Sequence, residues 1–221
     1  MIAASITTKG LDEVARAFDK MARGQVPFAT SLAINRVAEL SIPALKSNMA
    51  VVFDRPKPYT MNSLFVKRST KHNLTARVFH SSRVAPYLRA EIEGGSRQEK
   101  GFEVRISGAR GVLVPTKNAP RDSYGGVSRA FLTKVLSQAR SVGARSEYVI
   151  VRPGEDSKLS PGVYHRKDGR ICALFLFKDR TTYEPRYDML GVVQRVIQAE
   201  FGRQFSASMD FALSTAKLKL V

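Results

Sequence analysis

Asp168-Gly169 is the feature that most restricts what this chain can become. It lies inside Val163-Tyr164-His165-Arg166-Lys167-Asp168-Gly169-Arg170-Ile171. Asp-Gly supplies the two residues that tolerate positive φ in a type I′ turn, and β-prone runs flank it, so the segment is expected to close a tight antiparallel hairpin. Beyond Pro185 the period changes. Leu190, Val193, Ile197, Phe201, Phe205, Met209 and Ala212 recur at helical spacing after Asp188, which predicts a long helix with one apolar stripe laid across the sheet.

Upstream, Leu11, Val14, Ala15, Phe18 and Met21 repeat at three- and four-residue steps, with Asp12 and Glu13 in the first turn, where the helix dipole favours negative charge. This predicts a first helix that ends at Arg23-Gly24. A second starts near Pro27, a residue suited to a first helical turn, buries Phe28, Leu32, Val37 and Leu40, and is kinked or restarted at Pro43. Two prolines in Asp54-Arg55-Pro56-Lys57-Pro58-Tyr59 forbid a helix there and predict an extended linker. Ser63 to Lys67, Leu74 to His80 and Tyr87 to Ile92 read as short strands, and Glu93-Gly94-Gly95-Ser96 as a turn.

The stretch from Gly101 to Gly126 is irregular, broken by the apolar patch Val112-Leu113-Val114 that Pro115 closes. Ser128 caps a short helix with Phe131, Leu132, Val135 and Leu136 inward. The expected fold class is α+β, with a small, mainly antiparallel sheet packed against a long C-terminal helix and an N-terminal helical pair. Residues 1–53 form the helical pair, and residues 54–221 form the α+β core with an irregular insertion near 94–160. The tail Lys217-Leu218-Lys219-Leu220-Val221 frays or adds a strand to a neighbour. No tandem repeat occurs, which excludes solenoids.

Composition bears on partners. Hydrophobic residues make up 43% and charged residues 25% of the 221 positions, enough apolar surface to offset the chain entropy of folding. The 36 Lys and Arg against 19 Asp and Glu leave a net charge of +17. Self-repulsion of that size implies an anionic neighbour, for which nucleic acid, an acidic protein surface and anionic lipid all qualify, the bland alternative being a merely basic surface. No apolar stretch reaches the ~20 residues of a membrane span. Thr7, Thr8 and Lys9 interrupt the N-terminal run, so neither a signal peptide nor a membrane partner is expected, and the chain should stay in the cytoplasm.

Residues that could do chemistry are sparse. His72, His80 and His165 have no Cys or His partner at metal-ligand spacing, so no metal is expected. The single Cys172 sits in Ile171-Cys172-Ala173-Leu174-Phe175-Leu176-Phe177 and reads as a core residue. His165 faces it across the expected hairpin, yet apolar burial raises a thiol pKa and makes it inert. Glu91, Glu93, Glu155, Asp156 and Asp168 lie in turns or strand ends without a magnesium motif, and the glycine pairs lack the Lys-Ser/Thr ending of a phosphate loop. The chain is therefore expected to be no enzyme and to need no cofactor. Its candidate contacts to DNA or a protein partner are Arg55, Lys57, Lys67, Arg68, Lys71, Arg77, Arg83, Arg97 and Lys100. Tyr59, Phe65, Phe79 and Tyr87 lie among them, and cations so spread would touch phosphates rather than read bases. A solvated basic face with those aromatics in the core is the competing explanation.

One resemblance joins these observations. Gly10-Leu11-Asp12-Glu13-Val14 followed by Val26-Pro27-Phe28-Ala29-Thr30-Ser31-Leu32-Ala33-Ile34-Asn35-Arg36-Val37-Ala38 resembles the opening of the minor tail protein Z family of lambda-like phages. The basic stretch from Phe65-Val66-Lys67-Arg68 to Ala76-Arg77-Val78 is similar in character, and Gly162-Val163-Tyr164 through Tyr183-Glu184-Pro185-Arg186-Tyr187-Asp188 resembles the end of phage tail-completion proteins. The resemblance implies a non-enzymatic subunit that completes the tail or joins it to the head connector. It implies a homo-oligomeric ring such as a hexamer, with the tail terminator, tail tube or connector proteins as partners, genomic DNA in the channel, and the virion as its final location. The rival reading is a DNA-binding protein without sequence preference that acts outside the virion.

Overall fold

The computed structural model describes residues 16, 18–19, 21–96, 99–107, 111–141 and 146–215. The chain is α+β: long helices near either end, and small sheets that are antiparallel except for one short parallel pair. It divides into two compact units, one holding residues 1–51, 59–85 and 188–221, the other residues 52–58 and 86–187. The division expected at residue 53 is thus replaced by one in which residues 59–85 join the helices.

In the first unit a π-helical turn, Met21–Gln25, runs without a break into α1, Val26–Val52. Arg23-Gly24 therefore ends no helix, and Phe18, expected inside, is exposed. Leu11, Val14 and Ala15 lie outside the described residues. The buried side of α1 is a four-residue ladder, Ala29, Ala33, Val37, Ser41, Leu45 and Met49. Of the residues expected inside, Val37 is buried, Phe28 and Leu32 are only half-buried and Leu40 is exposed. Pro43 neither ends nor restarts the helix, since buried residues on either side of it, Ser41 and Leu45, keep both halves docked.

Lys57 is followed by a single turn, α2, Pro58–Met61, so Tyr59 is helical rather than part of an extended linker. Then β1, Leu64–Lys67, pairs antiparallel with β2, Arg77–His80, which is shorter than the strand expected from Leu74. Asn35 ties this pair to α1. Its carboxamide accepts from Ser69 N–H at 2.7 Å and donates to Ser69 C=O at 3.1 Å, while Ser31 Oγ lies 3.0 Å from Ser69 Oγ. Buried His80 shares a 2.7 Å hydrogen bond between Nδ1 and Ser63 Oγ, and burial lowers its pKa. The folded state thus favours neutral imidazole, so the unfolded chain takes up the proton first on acidification. Stability present above about pH 6.5 is expected to fall as pH drops through that range. Urea titrations at stepped pH check this, and His80→Gln should remove that step.

The C-terminal helix of this unit opens at Asp188, whose carboxylate accepts from Gly191 N–H at 2.8 Å as an N-cap should.

The second unit begins its helices with α3, Ala85–Glu93, where strand pairing was expected for Tyr87 to Ile92. Pro86 fits a first helical turn, and the four-residue step from buried Leu88 to half-buried Ile92 is helical, not alternating. Gly95–Ser96, β3, pairs with Thr182–Tyr183. Arg186 binds the Glu91 carboxylate with two nitrogens, one at 3.1 Å, and lies over the Phe53 ring. The stretch expected to be irregular holds α4, Gly101–Ser107, and β4, Val112–Pro115. Next come α5, Arg129–Gln138, capped by Ser128 Oγ as predicted, and β5, Arg140–Ser141. Val135 is buried and Phe131, Leu132 and Leu136 half-buried, the inward face the sequence indicates.

A five-stranded sheet forms the body of this unit. With β6, Tyr148–Val151, β7, Gly162–Lys167, and β8, Arg170–Lys178, its order is β4-β8-β7-β6-β5. The Asp168-Gly169 turn closes β7 onto β8 with both residues at positive φ, 52° and 72°, and Lys167 opposite Arg170. Leu113, Val135, Tyr148, Ile150, Val163, Leu174 and Phe175 make its core. Cys172 is exposed, contrary to the expected burial. β4 covers β8 only from Phe175 to Lys178, so among the described residues the half of β8 nearest the turn, Cys172 included, has no strand beyond it on that side. Thr182–Tyr183, β9, completes the sheets before α6, Met189–Thr215, which belongs to the first unit.

Candidate functional site

The basic residues singled out in the sequence fall into two groups. Three are neutralised. Arg55 pairs with Asp54 at 3.0 Å, Lys57 with Asp122, and Arg68 with Glu39 at 2.6 Å. Arg55 also reaches Ser123 C=O, so the basic linker is fastened to the 121–126 loop of its own unit. The hydrogen bonds from Lys57, Tyr124 N–H and Gly126 N–H hold the Asp122 carboxyl below its usual range. Lys100 lies exposed just ahead of α4, and Arg83 lies exposed before α3. Arg97 lies outside the described residues.

Lys67 and Arg77 are different. They stand directly opposite each other at the loop end of the β1–β2 ladder, both exposed, and among the described residues neither has a carboxylate partner. Lys71 is exposed in the loop beyond them, next to exposed His72. One pleat further along the same face, Phe65 and Phe79 form the next outward pair, 51% and 44% exposed, with ring centroids 6.2 Å apart. Leu64 and His80 alternate to the buried side. Strand alternation therefore gathers two rings and two free cations on one outward surface. The sequence contained these four residues but left open whether the aromatics lay in the core. The signal that decides it is their phase, since Phe65 and Lys67, like Phe79 and Arg77, are two residues apart.

Like charges directly opposed across a ladder destabilise it. Arg77→Glu should therefore raise thermal stability, by roughly 0.5 kcal/mol, by converting the repulsion into a cross-strand pair. An unchanged or lowered melting temperature would show that the repulsion is not felt.

The long helix α6 carries a second uncovered surface. Leu190, Ile197 and Phe211 are 69%, 43% and 53% exposed and fall at seven- and fourteen-residue steps, the Phe211 ring also meeting Phe28 of α1 at a centroid distance of 6.4 Å. With a drift of about 20° per heptad, they stay within about 60° of one another around the helix. Of the stripe expected to be buried, Ala212 is buried and Val193, Phe201, Phe205 and Met209 are half-buried, whereas Leu190 and Ile197 are exposed. Apolar residues are abundant enough on α6 to make two faces, and the sequence reading merged them.

The remaining chemistry-bearing cluster lies near the β7–β8 turn. His165 is directly across from Cys172, as the hairpin register predicts, but its Nε2 lies 3.0 Å from Glu147 and its ring stacks on Tyr148. The histidine bond holds the Glu147 carboxyl below its usual range. Among the described residues no side-chain hydrogen bond joins His165 to Cys172. Also among the described residues, no group of three or more His, Cys, Asp or Glu is placed to hold a metal ion, and no helix is long and apolar enough to cross a membrane. No family model, no curated protein and no solved structure matches the chain.

Proposed function

We propose that the chain is a structural subunit of a tailed bacteriophage, acting without catalysis to complete the tail or join it to the head connector as one member of a homo-oligomeric ring. The observation that carries this reading is the uncovered heptad-spaced stripe of Leu190, Ile197 and Phe211 on α6. A helix this long that buries one face and leaves a second apolar stripe in water is arranged to meet another helix, and a second copy presents the same stripe. The net charge of +17 and the resemblance of residues 10–38 to the opening of minor tail protein Z proteins support the same reading. In such a ring the cations serve docking, toward genomic DNA in the channel or toward an acidic tail or connector protein.

Sedimentation of the purified full chain tests the ring. A discrete species several times the chain mass, unchanged between low and high salt, is expected, because apolar association is not screened. Ile197→Asp should reduce it to single chains with unchanged circular dichroism. A chain that stays single at every concentration, or associates only at low salt, would overturn the ring and favour the rival in which charge alone acts on DNA outside the virion.

A further inference from the structure

We infer that the outward face of the β1–β2 pair is a binding platform for single-stranded nucleic acid, with unpaired bases stacking on Phe65 and Phe79 and backbone phosphates held by Lys67 and Arg77. The surface combines the two features such sites need. Flat rings lie open on a strand pair, where a base can cover them, and free cations sit one pleat away, within reach of the phosphates of the same strand. Lys71, exposed in the connecting loop, extends the positive end of the platform along the path a strand would take.

Charge complementarity selects an anionic occupant. In a chain of net charge +17, Arg55, Lys57 and Arg68 are paired with carboxylates, whereas Lys67 and Arg77 are held opposite each other with no carboxylate partner among the described residues. An arrangement that repels itself in the free chain becomes favourable when a polyanion lies across it. The rings select among polyanions. In a duplex the base faces are covered by their neighbours, so a duplex can use the cations but not Phe65 and Phe79, while an unpaired strand uses both. An acidic protein segment would also be drawn to the cations but brings no flat π-face to the rings.

This inference concerns the free chain and does not rest on ring formation through α6. The test compares binding of a labelled oligothymidylate and a matched duplex to the full chain by fluorescence anisotropy over a range of salt. The oligothymidylate should bind more tightly than the duplex. Phe65→Leu with Phe79→Leu, which keeps apolar area but removes the flat rings, should weaken it by about tenfold or more and leave duplex binding unchanged. Phe65→Trp with Phe79→Trp should retain it. Lys67→Gln and Arg77→Gln should each reduce the slope of log affinity against log salt by about 0.7. Each substitution is at an exposed position, and thermal melts of all variants establish that the fold is kept. Equal affinity for both probes with no effect of the leucine pair would reduce the interaction to net charge and overturn the platform. So would leucine variants that bind the single strand as well as the unaltered chain, or the absence of binding at low salt.

Discussion

Glu103→Ala is expected to destabilise the second unit by about 3 kcal/mol, roughly 2 kcal/mol for leaving the buried Leu113 amide without an acceptor and about 1 kcal/mol for the lost cap to Lys100 at the exposed start of α4. Glu103 is fully buried, yet its carboxylate is engaged on both oxygens. One accepts from Lys100 N–H at 2.6 Å and the other from Leu113 N–H at 3.1 Å. The first bond is one half of a capping box at the start of α4, where Glu103 is the third helical residue and Glu103 N–H in turn donates to Lys100 C=O. The second covers the free edge of β4, the terminal strand of the five-stranded sheet, where a further strand would otherwise pair. One side chain thus starts a helix and closes a sheet edge. Glu103→Gln keeps a single acceptor and should cost about half as much. Urea unfolding measures both, and hydrogen exchange at the Leu113 amide reports the edge directly. A loss below about 1 kcal/mol for the alanine variant would mean that water replaces the carboxylate at no great cost.

Gly162→Val should be the most damaging change in the sheet. A Cβ at this position would lie 2.4 Å from the Phe175 backbone oxygen and 3.3 Å from Leu176 Cα, so it meets backbone rather than a side chain that could swing away. The position adjoins a bulge, where the β7–β8 register slips between Val163 and Tyr164, and β7 is flanked by β6 and β8. Neither neighbour can retreat without disturbing the pairing on its far side. Roughly 3 kcal/mol or more is expected, at the upper end of overpacking costs. Thermal melts of Gly162→Ala and Gly162→Val should show a loss that grows with the side chain. Melting near that of the unaltered chain would show that the bulge absorbs the added atoms.

How far the sequence reveals these features depends on the range of the interaction behind each. The Asp168-Gly169 hairpin, the Ser128 cap and the helix after Asp188 are local, set by residues within a few positions of one another, and all three are legible in the sequence. The role of Glu103 is half local: its cap to Lys100 spans three residues, but its bond to Leu113 depends on where β4 comes to lie. The segment around it therefore reads as irregular. Asn35 belongs to the Ala-Ile-Asn-Arg-Val-Ala run that carries the family resemblance, yet its partner, Ser69, is distant in sequence, and only the folded chain shows why an amide is needed there.

Burial was the harder property. Phe18, Leu40, Cys172, Leu190 and Ile197 are apolar and sit at spacings that predict burial, whereas all five are exposed. An apolar residue at helical or strand spacing marks a face, but a chain with two such faces must leave one uncovered until something else covers it. The same ambiguity hid the candidate platform. Phe65 and Phe79 could equally have filled a core, and the phase of β1 and β2 relative to buried Leu64 and His80 turns them outward. Of the basic residues, sequence alone could not separate Arg55, Lys57 and Arg68, which meet Asp54, Asp122 and Glu39, from Lys67 and Arg77, which oppose each other. The Lys57 and Arg68 pairings join residues far apart along the chain.

We propose that these exposed surfaces, apolar on α6 and basic on the β1–β2 pair, serve docking within a phage particle. Imaging of purified particles carrying a tagged copy of the chain addresses it most directly. The tag is expected in a symmetric ring at the tail end or the head-to-tail junction. Particles that are complete and infectious yet contain no copy of the chain would contradict it.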